Sequence, residues 1–311
     1  MTESTVVVIG DALIDVVRVG EKDSSFVGGS ALNVAVGLAV LGVPVTLIAM
    51  VGDDEHGATI RAFLAGYGVG LIATPAPLGT SVATSDRRHG EPRYEFNEAA
   101  LGRRVEFGDA ALAAIAAAAL VVVSGFPFDD DEQAAGLALA LAGHEHRLLV
   151  DPNPRSALLR DRARFRRNFE DLVHGALLVK VGDDDAGLLY ATGLAPVRAL
   201  LRERGPRAVL ATAGAAGASL TLADGTLVEV GVPASDRPVV DTMGAGDACL
   251  ATATAHIARN GDPTDAADAR RLLERAMLIA GETCRSVGAL LRLPAAGVPA
   301  DGVPVDGVAA D

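Results

Sequence analysis

The residues best suited to chemistry form one short segment, Asp241-Thr242-Met243-Gly244-Ala245-Gly246-Asp247. Small residues follow directly, and the pattern predicts that a helix begins within the segment. Glycines ahead of a helix let backbone N–H groups converge, and the helix start adds partial positive charge. The stretch from Gly244 to Gly246 is therefore a candidate anion hole, and Asp247 is a candidate base for a substrate hydroxyl. The alternative is a capped helix after a glycine turn, in which Asp247 is only an N-terminal charge.

Two further polar sites interrupt apolar patterns. Asn33 lies between Leu32 and Val34 in a stretch with helical periodicity, and a buried amide there needs hydrogen-bond partners. Either a ligand or the neighbouring backbone can supply them. The second site, Asp151-Pro152-Asn153-Pro154-Arg155, follows the strand-like residues 148–150. It is either a polar site at the end of a strand or an ordinary proline-rich turn.

The histidines and cysteines of the sequence carry no metal or disulfide pattern. The six histidines form no group with metal-ligand spacing. Cys249 and Cys284 stand far apart in the chain. We expect both to be buried thiols in a reducing compartment.

Strand-like and helix-like segments alternate along most of the chain. Short aliphatic runs predict buried strands at residues 6–9, 45–51, 120–123, 148–150, 177–179 and 208–212. Helical periodicity occurs between them, at residues 31–41, 57–65, 109–119, 132–142 and 184–192. The alternation predicts an α/β fold, with a mostly parallel central sheet and helices on both faces. In such folds ligands bind beyond the carboxyl ends of the strands.

Two segments, at about residues 16–27 and 80–97, alternate in the way that is typical of hairpins with exposed tips. We interpret them as a small β-sheet lid, since lids of this kind exclude water during a reaction. Two ordinary surface hairpins are the alternative. Residues 295–311 lack periodicity and are expected to form a loose C-terminal tail after a single domain over residues 1–294.

Composition narrows the class of partner. The chain has 27 basic and 40 acidic residues, a formal net charge of −13. Such a charge repels polyanions, so neither nucleic acid nor an anionic membrane is an expected partner. The N-terminal residues lack the pattern of a signal peptide, and the longest apolar run is shorter than a membrane span. We therefore expect a cytoplasmic protein.

Two stretches of the sequence carry a resemblance to a known family. The chain has neither a Walker-type P-loop nor a complete dinucleotide fingerprint after its first strand. It resembles instead the ribokinase-like (PfkB-type) carbohydrate kinases over roughly residues 6–294. One matching stretch runs from Gly28-Gly29-Ser30-Ala31-Leu32-Asn33 to Gly52-Asp53-Asp54-Glu55-His56-Gly57, and the other is the 241–247 segment. The resemblance implies phosphoryl transfer from ATP to a sugar, with Mg²⁺.

The resemblance also implies roles for individual residues. It makes Asp247 the base, with Gly244, Ala245 and Gly246 as the anion hole. The acceptor site that it implies comprises Asp11, Asp15, Gly28, Gly29, Asn33 and Arg155. The implied nucleotide site comprises Lys180, Asp185, Thr212, Gly214, Gly217 and Gly288. Of these, the last four belong to stretches that resemble the family's turn near the ATP phosphates and its adenine-pocket loop.

One stretch departs from the family pattern. Relatives have Asn-x-x-Glu where this chain has Gly182-Asp183-Asp184-Asp185, and that motif is linked to magnesium and phosphate through ordered water. Asp185 is therefore expected to act on magnesium indirectly and with a shorter reach, unless Asp183 or Asp184 replaces it. The resemblance further implies a monovalent cation, potassium, near Asp241, although backbone ligands leave no side-chain signature.

The acceptor and the assembly state follow from the same resemblance. The Asp-Pro-Asn-Pro-Arg stretch is similar to that of fructokinases and 2-keto-3-deoxygluconate kinases, so we expect a sugar or sugar acid as acceptor. A ribokinase or nucleoside kinase of the same fold is an alternative. A non-catalytic sugar- or nucleotide-sensing relative is another: the 182–185 departure favours it, and Asp247 opposes it. Because family lids often clasp a second lid, we expect a homodimer.

Overall fold

A computed structural model describes residues 5–19, 22–86 and 93–294. The predicted tail over residues 295–311 lies outside this range, as do parts of the tips of both predicted hairpins. Among the described residues, no helix combines the length and apolar character needed to cross a bilayer.

The strands follow the aliphatic runs of the sequence, and several extend one to three residues beyond them. In chain order they are β1 (Val6–Gly10), β2 (Leu13–Val19), β3 (Lys22–Gly28), β4 (Val45–Met50), β5 (Gly70–Thr74), β6 (Val82–Asp86), β7 (Arg93–Phe96), β8 (Leu120–Ser124), β9 (Leu148–Asp151), β10 (Leu178–Gly182), β11 (Ala208–Thr212), β12 (Ala218–Leu222) and β13 (Leu227–Val230).

Most of the helices occupy connections between strands, and the last two follow the final strand. The helices are α1 (Ser30–Val40), α2 (Glu55–Gly66), α3 (Glu98–Leu101), α4 (Asp109–Ala117), α5 (Asp131–Leu141), α6 (Arg162–Leu172), α7 (Asp183–Asp185), α8 (Leu194–Glu203), α9 (Ala245–Asn260) and α10 (Ala266–Thr283). The helix predicted at 184–192 begins one residue earlier, and after α7 it continues as a π-helical turn over Ala186–Tyr190.

A nine-stranded sheet forms the centre of the described structure, in the order β13-β12-β11-β10-β9-β8-β1-β4-β5. The strands from β5 across to β11 are parallel, and at one edge β12 pairs antiparallel with both β11 and β13. Strands β1 and β8 are buried along their whole length because helices cover both faces. This confirms the predicted α/β architecture.

Two apolar clusters fill the space between the sheet and its helices. One contains residues of α1, α9 and α10, and the other contains residues of α4, α5, α6 and α8. Alternate residues of each strand contribute to opposite clusters: Val179 and Val181 of β10 face the second, so Lys180 between them faces α9. A polar side chain is thereby directed into the layer that contains the Asp247 helix.

A separate four-stranded sheet has the order β3-β2-β6-β7. Strands β2 and β3 pair antiparallel, as do β6 and β7, while β2 and β6 pair in parallel and join the two hairpins. The two predicted hairpins therefore form one sheet. Its first strand begins just after β1, which connects the small sheet to the carboxyl edge of the large one.

The order in which successive strands are added to the large sheet reverses between β1 and β8. From β1 the order proceeds outward through β4 to β5, whereas β8 to β11 extend the other way. Such a topological switch leaves a crevice at the carboxyl ends of the two strands, where ligands of open α/β sheets bind.

Candidate active site

Four chain segments meet at the crevice between β1 and β8. Gly10 and Asp11 end β1, Ser124 ends β8, and helices α1 and α9 begin beside them. Gly10 is required by the close approach of these strands, because a Cβ there would lie 1.8 Å from the carbonyl oxygen of Ser124. The crevice thus places two helix starts against the carboxyl ends of two strands.

Asp247 occupies the third position of α9 and is held by donors from α1. Its Oδ1 accepts the Ser30 hydroxyl at 2.6 Å, and its Oδ2 accepts the Asn33 amide at 2.9 Å. All three side chains are buried. The two residues lie on the same face of α1, one turn apart, and so can hold one carboxylate together.

Ser30 connects Asp247 to two further residues. Its oxygen lies 2.6 Å from the Ser124 hydroxyl and 2.5 Å from the Asn153 amide nitrogen. A hydroxyl has one donor and two acceptor positions. Because Ser30 donates to the carboxylate of Asp247 and the amide of Asn153 can only donate, Ser124 must donate to Ser30. The network therefore has one orientation when Asp247 is ionised.

Asn153 reaches this network from an uncommon backbone conformation. Its φ is 36°, in the left-handed region, where non-glycine residues are rare and asparagine is among the best tolerated. Its amide nitrogen also lies 3.5 Å from Oδ1 of Asp247. Strained residues of this kind concentrate at functional sites, and here the strain accompanies a contact with the candidate base.

The start of α9 supplies the expected cluster of amides. Gly244 precedes the helix with a φ of 78°, and a Cβ at this position would lie 2.0 Å from the carbonyl oxygen of Ala289. The Ala245 amide donates to Thr242 at 3.3 Å. Among the described residues, the Gly246 and Asp247 amides have no acceptor. The Gly244 amide also has no acceptor among these residues, so two of the three amides of the predicted stretch are available and Asp247 adds a third.

Burial is the main influence on the Asp247 carboxyl. Desolvation raises its pKa, and the hydrogen bonds from Ser30 and Asn33 together with the nearby Arg155 and Lys180 act in the opposite direction. A carboxylate with a raised pKa accepts a proton more readily than an exposed one. The environment therefore suits a base.

The predicted acceptor residues surround the same crevice. Asp11 Oδ1 accepts the Ala31 amide at 3.0 Å, and a Cβ at Gly28 would lie 2.4 Å from Oδ2 of Asp15. Gly29 has a φ of 113° and lies against the backbone of Asp11. Burial raises the pKa of Asp11, and it raises the pKa of Asp15 to about 6. These carboxyl groups form one partly buried acidic wall.

Arg155 faces this wall from the loop after β9. It is exposed, yet its charge lowers the pKa of Asp11, Asp15 and Asp247 against the dominant effect of burial. The structure therefore brings Arg155 near the carboxylates from β1, β2 and α9.

Lys180 forms a buried ion pair with Asp151. The two side chains are 6% and 0% exposed, and Nζ lies 2.7 Å from Oδ2. Burial disfavours the ammonium, but Asp151, Asp185 and Asp247 outweigh it and raise the pKa of Lys180. A Cβ at Gly246 would lie 3.0 Å from this Nζ. Lys180 thus places a fixed positive charge beside the available amides of α9.

Asp185 folds back onto the glycine that replaces the family's asparagine. Its Oδ2 accepts the Gly182 amide at 2.6 Å. Burial raises the pKa of Asp185 to about 6, with Lys180 opposing. No cluster of three or more metal-ligating side chains occurs within the described parts of the chain. The donor set therefore fits a magnesium ion held mainly by nucleotide phosphates and water, with Asp185 in an indirect role.

The predicted nucleotide residues lie along the ends of β10 and β11. Gly182 pairs with Thr212 across these strands. Gly214 and Gly217 bound a tight turn after Thr212, and a Cβ at Gly217 would lie 2.2 Å from the carbonyl oxygen of Val230. Gly288 donates to Asp241 Oδ2 at 3.3 Å, so the adenine-loop candidate contacts the 241–247 segment.

Three residues of the network were missed as site residues. Ser30 and Asn153 stood inside quoted motifs, and Ser124 directly follows the strand predicted at 120–123. A polar residue at the carboxyl end of a buried strand is a usable signal, but only the fold shows that Ser124 meets Ser30.

Comparison with known proteins agrees with this geometry. Residues 3–296 match the family model described as pfkB family carbohydrate kinase, and the chain belongs to this family. It is similar to a fructokinase of Klebsiella pneumoniae, with 30% identity covering 92% of this chain and 95% of that protein. It is also similar to a 2-dehydro-3-deoxygluconokinase of Thermoproteus tenax, with 29% identity covering 78% and 76%.

Solved structures show the same fold. A fructokinase double mutant from Vibrio cholerae O395, bound to fructose, ADP and a potassium ion, superposes with a TM-score of 0.78. The match covers 93% of this chain and 94% of that one, at 20% identity. The protein is thus a carbohydrate kinase of the pfkB family with a ribokinase-like fold.

Proposed function

We propose that this protein transfers the γ-phosphoryl group of ATP to a hydroxyl of a sugar or sugar acid, with Asp247 as the base. The observation that carries the proposal is the buried Asp247 carboxylate, held by Ser30 and Asn33 beside available amides at the start of α9. A base and an anion hole within one helical turn suit in-line phosphoryl transfer.

In this proposal the acidic wall and Asn33 bind the acceptor. The Oδ1 atom of Asn33 is buried and has no hydrogen-bond partner. Leaving such an acceptor unpaired is costly, and a substrate hydroxyl can donate to it. Asp11 and Asp15 accept from further hydroxyls, while Gly28 and Gly29 keep the backbone close to the sugar. Asp247 then takes the proton of the hydroxyl that attacks the phosphorus.

Charge that develops on the transferring phosphoryl group is stabilised from two directions. The amides of Gly246 and Asp247 point from the start of α9, where the helix adds partial positive charge. Lys180 holds its ammonium against Gly246. When bound, magnesium would neutralise charge on the phosphate oxygens, and Asp185 would contact the ion indirectly. Thr212, Gly214, Gly217 and Gly288 form the nucleotide side of the site, and Asp241 lies nearest a proposed potassium ion.

The acceptor is proposed to be fructose or 2-keto-3-deoxygluconate. The similar fructokinase and 2-dehydro-3-deoxygluconokinase sequences support this choice, as does the Asp-Pro-Asn-Pro-Arg stretch. Arg155 lies near the acidic wall, where a guanidinium can bind a sugar hydroxyl or a carboxylate.

We further propose that residues 1–294 act as one kinase domain in the cytoplasm, with the small sheet as its lid. The small sheet begins directly after Asp11 and ends its first hairpin at Gly28, so movement of the lid is coupled to the acceptor wall. Edge strand β3 is proposed to pair with a second copy in a homodimer, which would cover the unpaired backbone of the edge.

A substrate panel tests the proposal. The purified protein is incubated with ATP and magnesium and with fructose, 2-keto-3-deoxygluconate, ribose or adenosine in turn, and ADP release and the phosphorylated product are followed. We expect product with fructose or 2-keto-3-deoxygluconate. Tight binding of a sugar or nucleotide without product from any acceptor would contradict a kinase and favour the sensor alternative.

A further inference from the structure

Arg103 carries a half-buried charge that the described structure does not neutralise directly. It follows α3, and its Nη1 atom is buried without a hydrogen-bond partner. No carboxylate of the described residues lies within ion-pairing distance of its guanidinium. Burial lowers the pKa of Arg103, opposed first by Asp129 and then by Asp11. An unpaired buried cation is costly, and a protein retains one where it has a use.

The guanidinium borders a small cavity that also touches the acceptor site. The cavity has a volume of about 20 Å³ and is lined by Gly10, Asp11, Arg103 and Gly125 among others. This is room for one water molecule. The Asp11 carboxyl lies at the Gly125 part of this lining, since a Cβ at Gly125 would lie 2.4 Å from its Oδ1. One water can therefore bridge the guanidinium and the Asp11 carboxylate.

Asp129 is a second carboxylate whose charge acts on Arg103. Asp129 is 4% exposed, and its Oδ2 accepts the Arg160 amide at 2.7 Å. Its Oδ1 is buried without a hydrogen-bond partner. The negative charges of Asp129 and Asp11 both favour the charged form of Arg103, and the nearby Arg160 opposes it.

We propose that Arg103 is a positioning residue for Asp11: through one ordered water in this cavity it holds the Asp11 carboxylate ionised and oriented toward the acceptor hydroxyls. The proposal rests on the acceptor role of Asp11 proposed above. It explains why a half-buried cation without an ion-pair partner lines the same cavity as Asp11.

The other groups that face Asp11 do not replace this role. The Ala31 amide at the start of α1 fixes Oδ1. Arg155 lowers the pKa of Asp11 more than Arg103 does, but it acts from the exposed loop after β9, where dissolved salt screens its charge. Asp15 on β2 adds a second negative charge nearby. Removal of Arg103 therefore leaves Asp11 with one exposed cation and one repelling neighbour.

The test combines kinetics and titration of Arg103→Met, Arg103→Lys and the control Arg160→Met. Within the described parts of the chain, the hydrogen bond and the ion pair of Arg160 both go to Asp129, and its side chain is 56% exposed. For the acceptor that the wild type phosphorylates, KM and kcat are measured between pH 5.5 and 8.5. The carboxyl carbon of Asp11 is titrated by NMR, with Asp11→Asn for assignment.

We expect Arg103→Met to raise the acceptor KM by about tenfold near pH 6 and by less at pH 8, with kcat changed less than about threefold. The sign follows because loss of the cation raises the pKa of Asp11, so the carboxyl is protonated at the lower pH. Its titration midpoint should rise by about one unit. Arg103→Lys should recover most of both effects, and Arg160→Met should show neither.

Two results would overturn the inference. One is an unchanged Asp11 titration in Arg103→Met, or in the equally uncharged Arg103→Gln if the methionine variant does not fold. The other is a KM defect of the same size at every pH, which would indicate direct acceptor contact. A wild type that phosphorylates no acceptor would instead refute the proposed function, while the NMR titration would still decide the role of Arg103.

Discussion

Asp247 receives its hydrogen bonds in a way that leaves it free to act. Each carboxylate oxygen has one short contact, to Ser30 or to Asn33, and retains further acceptor capacity. Asn153 adds a longer contact from a strained backbone. The carboxylate is therefore fixed in orientation before a substrate binds, and little reorganisation is needed during the reaction.

Asp15 gives a prediction about pH. Burial raises its pKa to about 6 in the folded protein, against about 3.9 in an unfolded chain. Its contribution to stability is therefore fully present below about pH 4 and is lost as the pH rises through about 6. Asp15→Asn has no carboxyl group at this position and does not lose this stability as the pH rises. The difference between its unfolding free energy and that of the wild type should therefore increase, in favour of the variant, by about 1–3 kcal/mol between pH 4 and 7.5.

Urea denaturation at several pH values measures this difference. Asp171→Asn on α6 removes one exposed carboxylate and serves as the control for charge. A difference between Asp15→Asn and wild type that stays constant with pH would contradict the assigned environment.

Residue types and their spacing predicted part of the site. The candidate base and the buried Asn33 amide followed from the glycines and from a polar residue in an apolar helix. The structure adds that these two contact each other. Ser124 and Arg103 could not be predicted, because their roles depend on segments that are distant in sequence and meet only in the fold.

The ion pair between Asp151 and Lys180 joins strands β9 and β10, between the acceptor side and the nucleotide side of the site. Loss of one partner leaves a buried charge uncompensated. We predict that Lys180→Met lowers the unfolding free energy by about 3–5 kcal/mol. The double variant Lys180→Met/Asp151→Leu should recover most of this loss, because apolar side chains of similar volume can replace a buried pair.

Chemical denaturation measures the three free energies. Arg207→Met, which breaks the exposed Arg207–Asp262 pair, is the control and should cost less than about 1 kcal/mol. Phosphoryl transfer should stay low in the double variant, because Lys180 also lies against Gly246. A single variant as stable as wild type would refute the energetic role of the pair.

The departure from the family motif at Gly182–Asp185 lies where β10 ends and α7 begins. Gly182 ends β10 with an extended backbone (φ −95°), and α7 begins directly after it. Asp185 caps this short helix with its own carboxylate. The sequence predicted a shorter reach for Asp185, and the structure gives a physical reason, since one carboxylate oxygen is occupied by the Gly182 amide.

At the scale of the whole molecule, the strand and helix alternation was enough to predict the central sheet. Period and composition identify buried parallel strands well, because both faces are covered by helices. The parallel pairing of β2 with β6, which joins the two hairpins into one sheet, could not be predicted, since it joins segments that the sequence patterns leave independent.

The proposed homodimer gives a prediction about the small sheet. Phe26 lies on edge strand β3 and is 48% exposed. If a second copy covers this edge, Phe26→Glu should convert a dimer to a monomer at micromolar concentration, because a charge would be buried against an apolar partner. Leu139→Glu on α5, at a residue that is 80% exposed, should leave the dimer intact. Sedimentation velocity measures both, and a monomeric wild type would rule out the dimer.

The most direct test of the central claim is ATP-dependent turnover by Asp247→Asn. The amide should be tolerated, because Asn33 can turn its unpaired Oδ1 toward it. We predict that unfolding and ATP binding stay near wild type, while turnover falls by about 10²–10⁴ because the base is lost. A folded variant that retains turnover within about tenfold of wild type would contradict Asp247 as the base.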